Sequence, residues 1–150
     1  MRVIRSIFSF SIIAASMLLV SAGWITDFAK AKEEAKMSGK HILLSFSGSD
    51  WCVPCIKTER DIFEKESFIK FADTNLILVN ADFPRLKKNQ LSKALTKQNE
   101  ALAEKYDKDG LFPVIVLLNA DGKVLKEWEG YQDVTPENFA SQIKAFEHIN

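Results

Sequence analysis

Apolar residues along the chain alternate between helical spacing and short continuous runs. Between residues 25 and 35 they recur at the spacing of one helix face, and Gly39 ends that pattern. Three continuous runs, at 41–46, 76–79 and 114–118, have the length and composition of buried strands. The pattern therefore predicts a helix followed by strands that are covered on both faces.

Polar and apolar residues mix at helical spacing in most of the segments between these strands. They predict helices at 52–71, at 91–106 and, after a cap at Thr135, near the C-terminal end. Asp121-Gly122 is a hairpin signal, so the chain is expected to pair back over 124–128. The order α-β-α-β-α-β-β-α predicts one α/β domain, with helices on both faces of a mixed sheet. We expect the strand at 76–79 to be central and the hairpin to form an antiparallel edge.

The first 22 residues differ from the rest. Two arginines precede an apolar run at 7–20, and small residues follow at 21–23. This is the layout of a secretory signal peptide, and the run is shorter than the roughly 20 apolar residues that a membrane-spanning helix needs. We therefore expect a signal peptide at 1–22, a mature domain at 23–150 and an exported location such as the periplasm. An uncleaved membrane anchor is the alternative.

The charge and the length of the chain exclude only a few classes of function. Twenty basic and twenty acidic side chains cancel, and the sequence shows no basic stripe of the kind that binds nucleic acid. The mature domain is long enough to bury a core without disulfide bonds. The two cysteines are therefore not needed to hold a small scaffold together.

The strongest chemical signal is the motif Trp51-Cys52-Val53-Pro54-Cys55, which lies where a predicted strand gives way to a helix. Cysteines at this spacing can close a disulfide across the first turn of a helix. The unpaired N–H groups at the helix start stabilise an anion, so we expect the pKa of the Cys52 thiol to be lowered. Cys52 is then the nucleophile in disulfide exchange, and the shielded Cys55 resolves the mixed disulfide.

Other uses of the two cysteines fit the sequence less well. A structural disulfide is the main alternative, because exported proteins are oxidised, but the spacing and the helix start favour redox activity. A zinc site needs four ligands, and beyond the cysteines the chain offers only His41 and His148. Covalent haem attachment needs a histidine directly after the second cysteine, where Ile56 stands. We therefore expect neither a metal nor an organic cofactor.

These features resemble the thioredoxin superfamily, in particular exported bacterial proteins related to the C-terminal domain of thiol–disulfide interchange reductases. The resemblance covers most of 24–149 and rests on the Trp-Cys-x-Pro-Cys motif, on Pro113 before the third strand, and on the Asp-Gly hairpin. It implies a thioredoxin-like three-layer α/β/α sandwich. It also implies a cis peptide bond before Pro113, which would lie against the cysteines and form a substrate groove with Phe112 and Trp51.

One departure from that family concerns proton transfer. Thioredoxins bury an aspartate in the strand before the motif, where it takes a proton from the second cysteine. Here the strand contains no acid, and Ser45 is the nearest equivalent. Water, Asp50, or Glu59 one turn beyond Cys55 would then take the proton.

The residues between the cysteines bear on the direction of the reaction. Strongly oxidising members of the superfamily tend to carry a histidine there, which stabilises the reduced form. This chain has Val53 and Pro54 instead. We therefore expect a monomeric reductase of exported disulfide-containing proteins, supplied with electrons by a membrane-embedded donor. A disulfide isomerase or oxidase is one alternative, and a non-catalytic binding module with a closed disulfide is the other.

Overall fold

The computed structural model describes residues 23–146, so the signal peptide expected at 1–22 and His148 lie outside the described residues. The helices are α1 (Phe28–Ser38), α2 (Val53–Thr58), α3 (Glu66–Asn75), α4 (Lys93–Tyr106) and α5 (Pro136–Lys144). The strands are β1 (His41–Ser47), β2 (Leu76–Asp82), β3 (Val114–Leu118) and β4 (Val124–Glu129). A π-helical turn (Glu59–Phe63) follows α2, and a 3-10 turn (Lys87–Asn89) precedes α4. Within this part of the chain no helix is long and apolar enough to cross a membrane.

The strands form one mixed sheet in the order β2-β1-β3-β4. β1 pairs in parallel with β2 and antiparallel with β3, and the predicted hairpin adds β4 as an antiparallel edge. The prediction that the strand at 76–79 is central is wrong, because β2 is the outer strand of the described sheet. Ile25 bridges to its outer side, donating to the Leu78 carbonyl at 2.9 Å. Burial on both faces reflects the helices above and below β2, and it does not require a strand on both sides.

Two apolar layers lie on opposite faces of the sheet, as the α/β/α prediction requires. Side chains of β1 alternate between them, with Ile42 and Leu44 on one face and Leu43 on the other. Helices α1 and α4 cover the first face, and α3, α5 and the π-helical turn cover the second. The residues of these helices that are buried against the sheet include Phe28, Ala31, Leu102 and Tyr106 on one side and Phe63, Phe68, Phe139 and Ile143 on the other. The predicted three-layer sandwich is confirmed.

The second predicted helix, 52–71, is not continuous. After α2 the chain enters the π-helical turn, in which the Glu64 N–H donates to the Glu59 carbonyl at 2.9 Å. Lys65 then has an extended backbone and starts α3. The apolar residues on both sides of the break still lie in one layer, so their pattern in the sequence looks like that of a single helix.

Candidate active site

The cysteine pair lies at the junction between β1 and α2. Cys52 is the N-terminal cap of α2, with an extended backbone, and Pro54 occupies the first turn. The two sulfurs form a disulfide with an S–S distance of 2.04 Å, and the Cys55 N–H donates to Cys52 Sγ at 3.3 Å. The cysteines are only 4% and 5% exposed, whereas Val53 between them is 74% exposed. Access to the disulfide therefore depends on the residues around it.

One side of the motif carries three rings, Trp51, Phe83 and Phe112, which we call the aromatic wall. Trp51 meets Phe112 edge to face at a centroid distance of 5.5 Å, and Phe83 meets Phe112 at 5.4 Å. The indole Nε1–H donates to the Phe83 carbonyl at 2.7 Å. Gly48 lies against the indole so closely that an added Cβ would be 2.3 Å from Cε2 of Trp51. These contacts hold Trp51 in one orientation beside Cys52.

Pro113 completes this side of the site. The Phe112–Pro113 peptide bond is cis, as the family resemblance implies. The Pro113 carbonyl accepts a hydrogen bond from Gly130 N–H at 2.8 Å. Upstream, the buried Asp107 accepts from Leu111 N–H at 2.9 Å, and burial raises the pKa of its carboxyl. The structure thus brings together Trp51, Phe112 and Pro113, the residues expected to form a groove.

Behind the cysteines lies a space of about 480 Å³, which we call the back pocket. Cys55 and Pro113 form part of its lining, and Trp24 packs on Phe63 at its edge, with ring centroids 5.0 Å apart. Polar side chains from the sheet and from the helical segment complete it, namely Ser45, Ser47, Asn80, Thr58 and Glu59. Apolar side chains, namely Trp24, Ile56, Phe63 and Pro113, also line this space, which is large enough to admit water. The resolving cysteine therefore borders an open space of mixed lining, with Ser45 and Glu59 among its polar groups.

Together with Glu64, Glu59 is one of two acids that line the back pocket with Cys55. Its side chain reaches solvent at the pocket edge, yet partial burial raises the pKa of its carboxyl, and the nearby charge of Glu64 raises this pKa further. A carboxylate with a raised pKa accepts a proton more readily near neutral pH. Glu59 therefore lies beside the space that Cys55 borders, and its carboxyl binds a proton more readily than that of an ordinary glutamate.

Asp50 is engaged elsewhere, with residues 85–89, which we call the basic segment. Its carboxylate accepts hydrogen bonds from the N–H groups of Arg85 and Leu86, both at 2.9 Å, and from Asn89 Nδ2 at 3.0 Å. These bonds, that of Arg85 most, lower the pKa of the Asp50 carboxyl. A carboxylate held in its ionised form by such donors is a poor proton acceptor. Of the two acids considered from the sequence, the geometry favours Glu59 for proton transfer.

Arg85 and Asn80 lie near the cysteine motif, although nothing in the sequence pattern predicts a role for them there. The guanidinium carbon of Arg85 lies 3.6 Å from the centroid of a Trp51 ring, and Asn80 Oδ1 accepts from Ser47 Oγ at 3.1 Å. The missing information was the parallel pairing of β1 and β2, in which Ser47 is the partner of Asp82. Parallel strands end at the same edge of the sheet, so the segments that follow them meet there.

The described residues offer no alternative metal chemistry. His41 begins β1, at the opposite end from the motif, and its Nε2 lies 3.2 Å from the Phe146 carbonyl. Among residues 23–146, no group of histidine, cysteine and acidic side chains is arranged to hold a metal ion. The chemistry of the site therefore rests on the cysteine pair.

Several known proteins are similar to this chain in sequence. The thioredoxin-like domain family matches residues 28–147. The disulfide bond reductase DsbH of Chlamydia pneumoniae is 35% identical over 119 residues, which make up 79% of this chain and 69% of that protein. The thioredoxin-related protein DsbJ of the same organism is 27% identical over 120 residues, 80% of this chain but 34% of that protein.

Solved structures give the same result. A structure described as DsbH oxidoreductase is similar to this chain with a TM-score of 0.76 and 31% identity, covering 97% of this chain and 95% of the other. The oxidised C-terminal domain of DsbD from Neisseria meningitidis has a TM-score of 0.54 at 20% identity, with coverage of 78% and 90%. That second likeness concerns the fold.

Proposed function

This chain belongs to the thioredoxin-like family and is a thiol–disulfide oxidoreductase; from that premise we propose that it reduces disulfides in exported proteins. The observation that carries the proposal is the Cys52–Cys55 disulfide at the start of α2, with the aromatic wall on one side and the back pocket on the other. Val53 and Pro54 between the cysteines favour the reducing direction, because they lack the histidine that stabilises the reduced form in strong oxidants.

The reaction begins from the dithiol form. The Cys52 thiolate attacks one sulfur of the substrate disulfide, forms a mixed disulfide and releases the other substrate sulfur as a thiolate, which takes up a proton. Cys55 loses its proton and attacks Cys52 Sγ, which releases the second substrate thiol and leaves the Cys52–Cys55 disulfide present in this structure. Two electrons pass from the cysteine pair to the substrate, so no further cofactor takes part.

The side chains around the pair support separate parts of this reaction. Trp51, Phe112 and Pro113 bound the groove in which a substrate strand would lie. Glu59 accepts the proton of Cys55 through water in the back pocket and returns it to a departing thiolate. The pair is then oxidised and needs two electrons from a donor, for which we propose a membrane-embedded partner. This fits an exported, monomeric domain released from the predicted signal peptide at 1–22.

The redox equilibrium of the cysteine pair tests the proposal. The purified protein is equilibrated in graded dithiothreitol or glutathione buffers, and free thiols are counted by alkylation. A midpoint near the thioredoxin value of about −270 mV supports a reductase. A midpoint well above about −200 mV indicates an oxidase or isomerase instead. A pair that stays oxidised below about −300 mV indicates a binding module with a structural disulfide, and the enzyme proposal fails.

Trapping of intermediates provides the second test. In Cys55→Ser the mixed disulfide through Cys52 has no resolving thiol, so substrate proteins should stay covalently attached. The double variant Cys52→Ser/Cys55→Ser is the matched control and should trap nothing. Absence of any Cys52-linked adduct in Cys55→Ser would count against Cys52 as the nucleophile.

A further inference from the structure

Positive charge is concentrated in one stretch of the chain. Residues 83–99 contain five basic side chains and no acidic one, whereas the whole chain carries twenty of each sign. The five are all exposed, and the ion pairs found within residues 23–146 involve other cations. They are Arg85, Lys87, Lys88, Lys93 and Lys97. This charge is therefore free to interact with a partner.

The structure holds the first three of these cations beside the disulfide. Asp50, two residues before Cys52, accepts two backbone hydrogen bonds and one from the Asn89 amide of the basic segment, and its carboxylate offsets one of the positive charges there. Arg85 stacks on Trp51, the residue directly before Cys52. Lys87 and Lys88 follow in the 3-10 turn, which Asn89 ties to the same carboxylate. The basic segment is thus fixed to the motif at several points.

Two exposed apolar side chains belong to the basic segment and to the cysteine motif. Leu86, within the basic segment, is 48% exposed, and Val53, between the cysteines, is 74% exposed. A protein segment that places its disulfide over Cys52 and crosses the aromatic wall would bring its flanking residues to Arg85 and the two lysines. Opposite charges at such positions speed association and orient the encounter, whereas like charges slow it.

We infer that the basic segment selects substrate disulfides that are flanked by aspartate or glutamate. The inference rests on the proposed reductase function and specifies the substrate class of that same site. The partner is an acidic peptide segment next to a cysteine. An anionic membrane surface is less consistent with the placement, because the charge is fixed at the rim of the reactive groove and Arg85 packs on a ring of that groove.

Matched peptides test the inference. Three synthetic disulfide peptides differ only in two residues beside one cysteine, which are both Glu, both Gln or both Lys. The reduced full chain is mixed with each peptide, and the second-order rate constant of reduction is measured at about 0.02 M and about 0.5 M salt. We expect the Glu peptide to react about tenfold faster than the Lys peptide at low salt, and the two rates to converge at high salt.

A charge-reversal pair identifies the basic segment as the cause. In Lys87→Glu/Lys88→Glu the ratio of Glu to Lys peptide rates should fall to one or below. The control Lys65→Glu/Lys123→Glu changes the net charge by the same amount at two exposed lysines away from the motif and should keep the wild-type ratio. The salt dependence of the wild-type protein provides a test that needs no variant.

Several results would overturn the inference. Equal rates for the three peptides in the wild-type protein, or equal ratios in the two double variants, would show that the segment selects nothing. So would loss of binding to vesicles of anionic lipid in Lys87→Glu/Lys88→Glu with the peptide ratio unchanged, which would assign the charge to a membrane. In each of these cases reduction of the Gln peptide still supports the proposed function, whereas failure to reduce any peptide defeats both proposals.

Discussion

The two sides of the disulfide contain different kinds of side chains. On the aromatic wall, the polar and charged groups are paired. The indole N–H donates to the Phe83 carbonyl, and the Arg85 guanidinium lies over the Trp51 ring. In the back pocket, hydroxyl, amide and carboxyl groups surround a space of about 480 Å³. The first side is packed and fixed, whereas the second leaves an open space that is lined by both polar and apolar groups.

This difference separates two requirements of disulfide exchange. A substrate strand must be held in a narrow range of orientations, which rigid rings and a fixed loop achieve. Proton movement needs a group of suitable basicity and a path of hydrogen bonds, which water and Glu59 can supply without close packing. Substitutions on the two sides should therefore alter different parts of the reaction.

The largest effect is expected on the wall. Trp51→Ala removes the ring contact with Phe112, a hydrogen bond and the support of Arg85, so kcat/KM for a protein disulfide should fall about a hundredfold, as expected when reacting groups lose their alignment. Trp51→Phe keeps a ring and should recover part of the rate. Urea unfolding of both variants separates lost activity from lost stability. If Trp51→Ala retains nearly full activity, the wall does not orient the substrate.

Glu59→Gln should give the second largest effect, on the other side of the disulfide. Attack of Cys55 on a preformed mixed disulfide should slow about tenfold or more at neutral pH, because Gln cannot take the proton. Glu64→Gln is the sharper comparison. Glu64 raises the pKa of the Glu59 carboxyl, so its neutralisation should move the pH profile of this step to lower pH without removing it. Stopped-flow rates between pH 4 and 9 measure both, and identical profiles in all three proteins would exclude Glu59.

Stability gives an independent measure of Glu59. The folded protein binds this proton more tightly than the unfolded chain, since the pKa is raised from its ordinary value of 4.5. Ionised Glu59 therefore opposes folding, and stability falls as pH rises through the folded pKa. Glu59→Gln should be more stable than wild type at pH 7, and the difference should vanish below the ordinary pKa. The same difference at pH 3 and pH 7 would contradict this account.

Asp50→Ala should act on selection and leave proton transfer unchanged. Without its three acceptor contacts the basic segment is less fixed, so the Glu-to-Lys peptide ratio should fall about threefold, although the cations remain and one nearby negative charge is lost. The pH profile of Cys55 attack should stay that of wild type. The lowered pKa of the Asp50 carboxyl keeps it ionised at pH values somewhat below its ordinary pKa of 3.8, so this contact is lost only in stronger acid. A shifted pH profile would indicate that Asp50 takes part in proton transfer.

The smallest effect is expected for Ser45→Ala. Ser45 occupies the position nearest to the buried aspartate of thioredoxins, yet here it lines the back pocket, which has room for water. Water can replace the hydroxyl, so the rate of Cys55 attack should change by no more than about twofold. If Ser45→Ala slowed Cys55 attack as much as Glu59→Gln, the Ser45 hydroxyl would be part of the proton path. Glu59 would then not be the main proton acceptor.

The sequence predicts some parts of this molecule well for physical reasons. The runs at 41–46 and 114–118 are recognisable because strands buried on both faces must be apolar throughout. The same reasoning wrongly predicted β2 to be a central strand, because burial of its two faces does not show whether another strand pairs with each of its edges. The cysteine motif is recognisable because its chemistry depends on local spacing.

The surroundings of the motif depend on contacts that spacing does not show. Asp50 bonds to Leu86 across 36 positions, and Glu59 meets Cys55 in a pocket completed by Asn80 from another strand. Asp50 and Glu59 can be distinguished only when the pairing of β1 with β2 is known, because this pairing places the segments that follow the two strands side by side. The family resemblance supplied the cis bond at Pro113, which the residues alone do not specify.

The π-helical turn after α2 has a consequence for helical phase. Each residue of an α-helix advances the side-chain direction by about 100°, and a π turn inserts one extra residue into the winding. Cys55 in α2 and the core residues Ile62 and Phe63 in the turn can therefore have relative azimuths that a uniform α-helix would not permit. Deleting one residue from this turn would preserve both helices but rotate the cysteine segment relative to the core. The winding of a single turn thus sets the angle at which Glu59 meets its pocket.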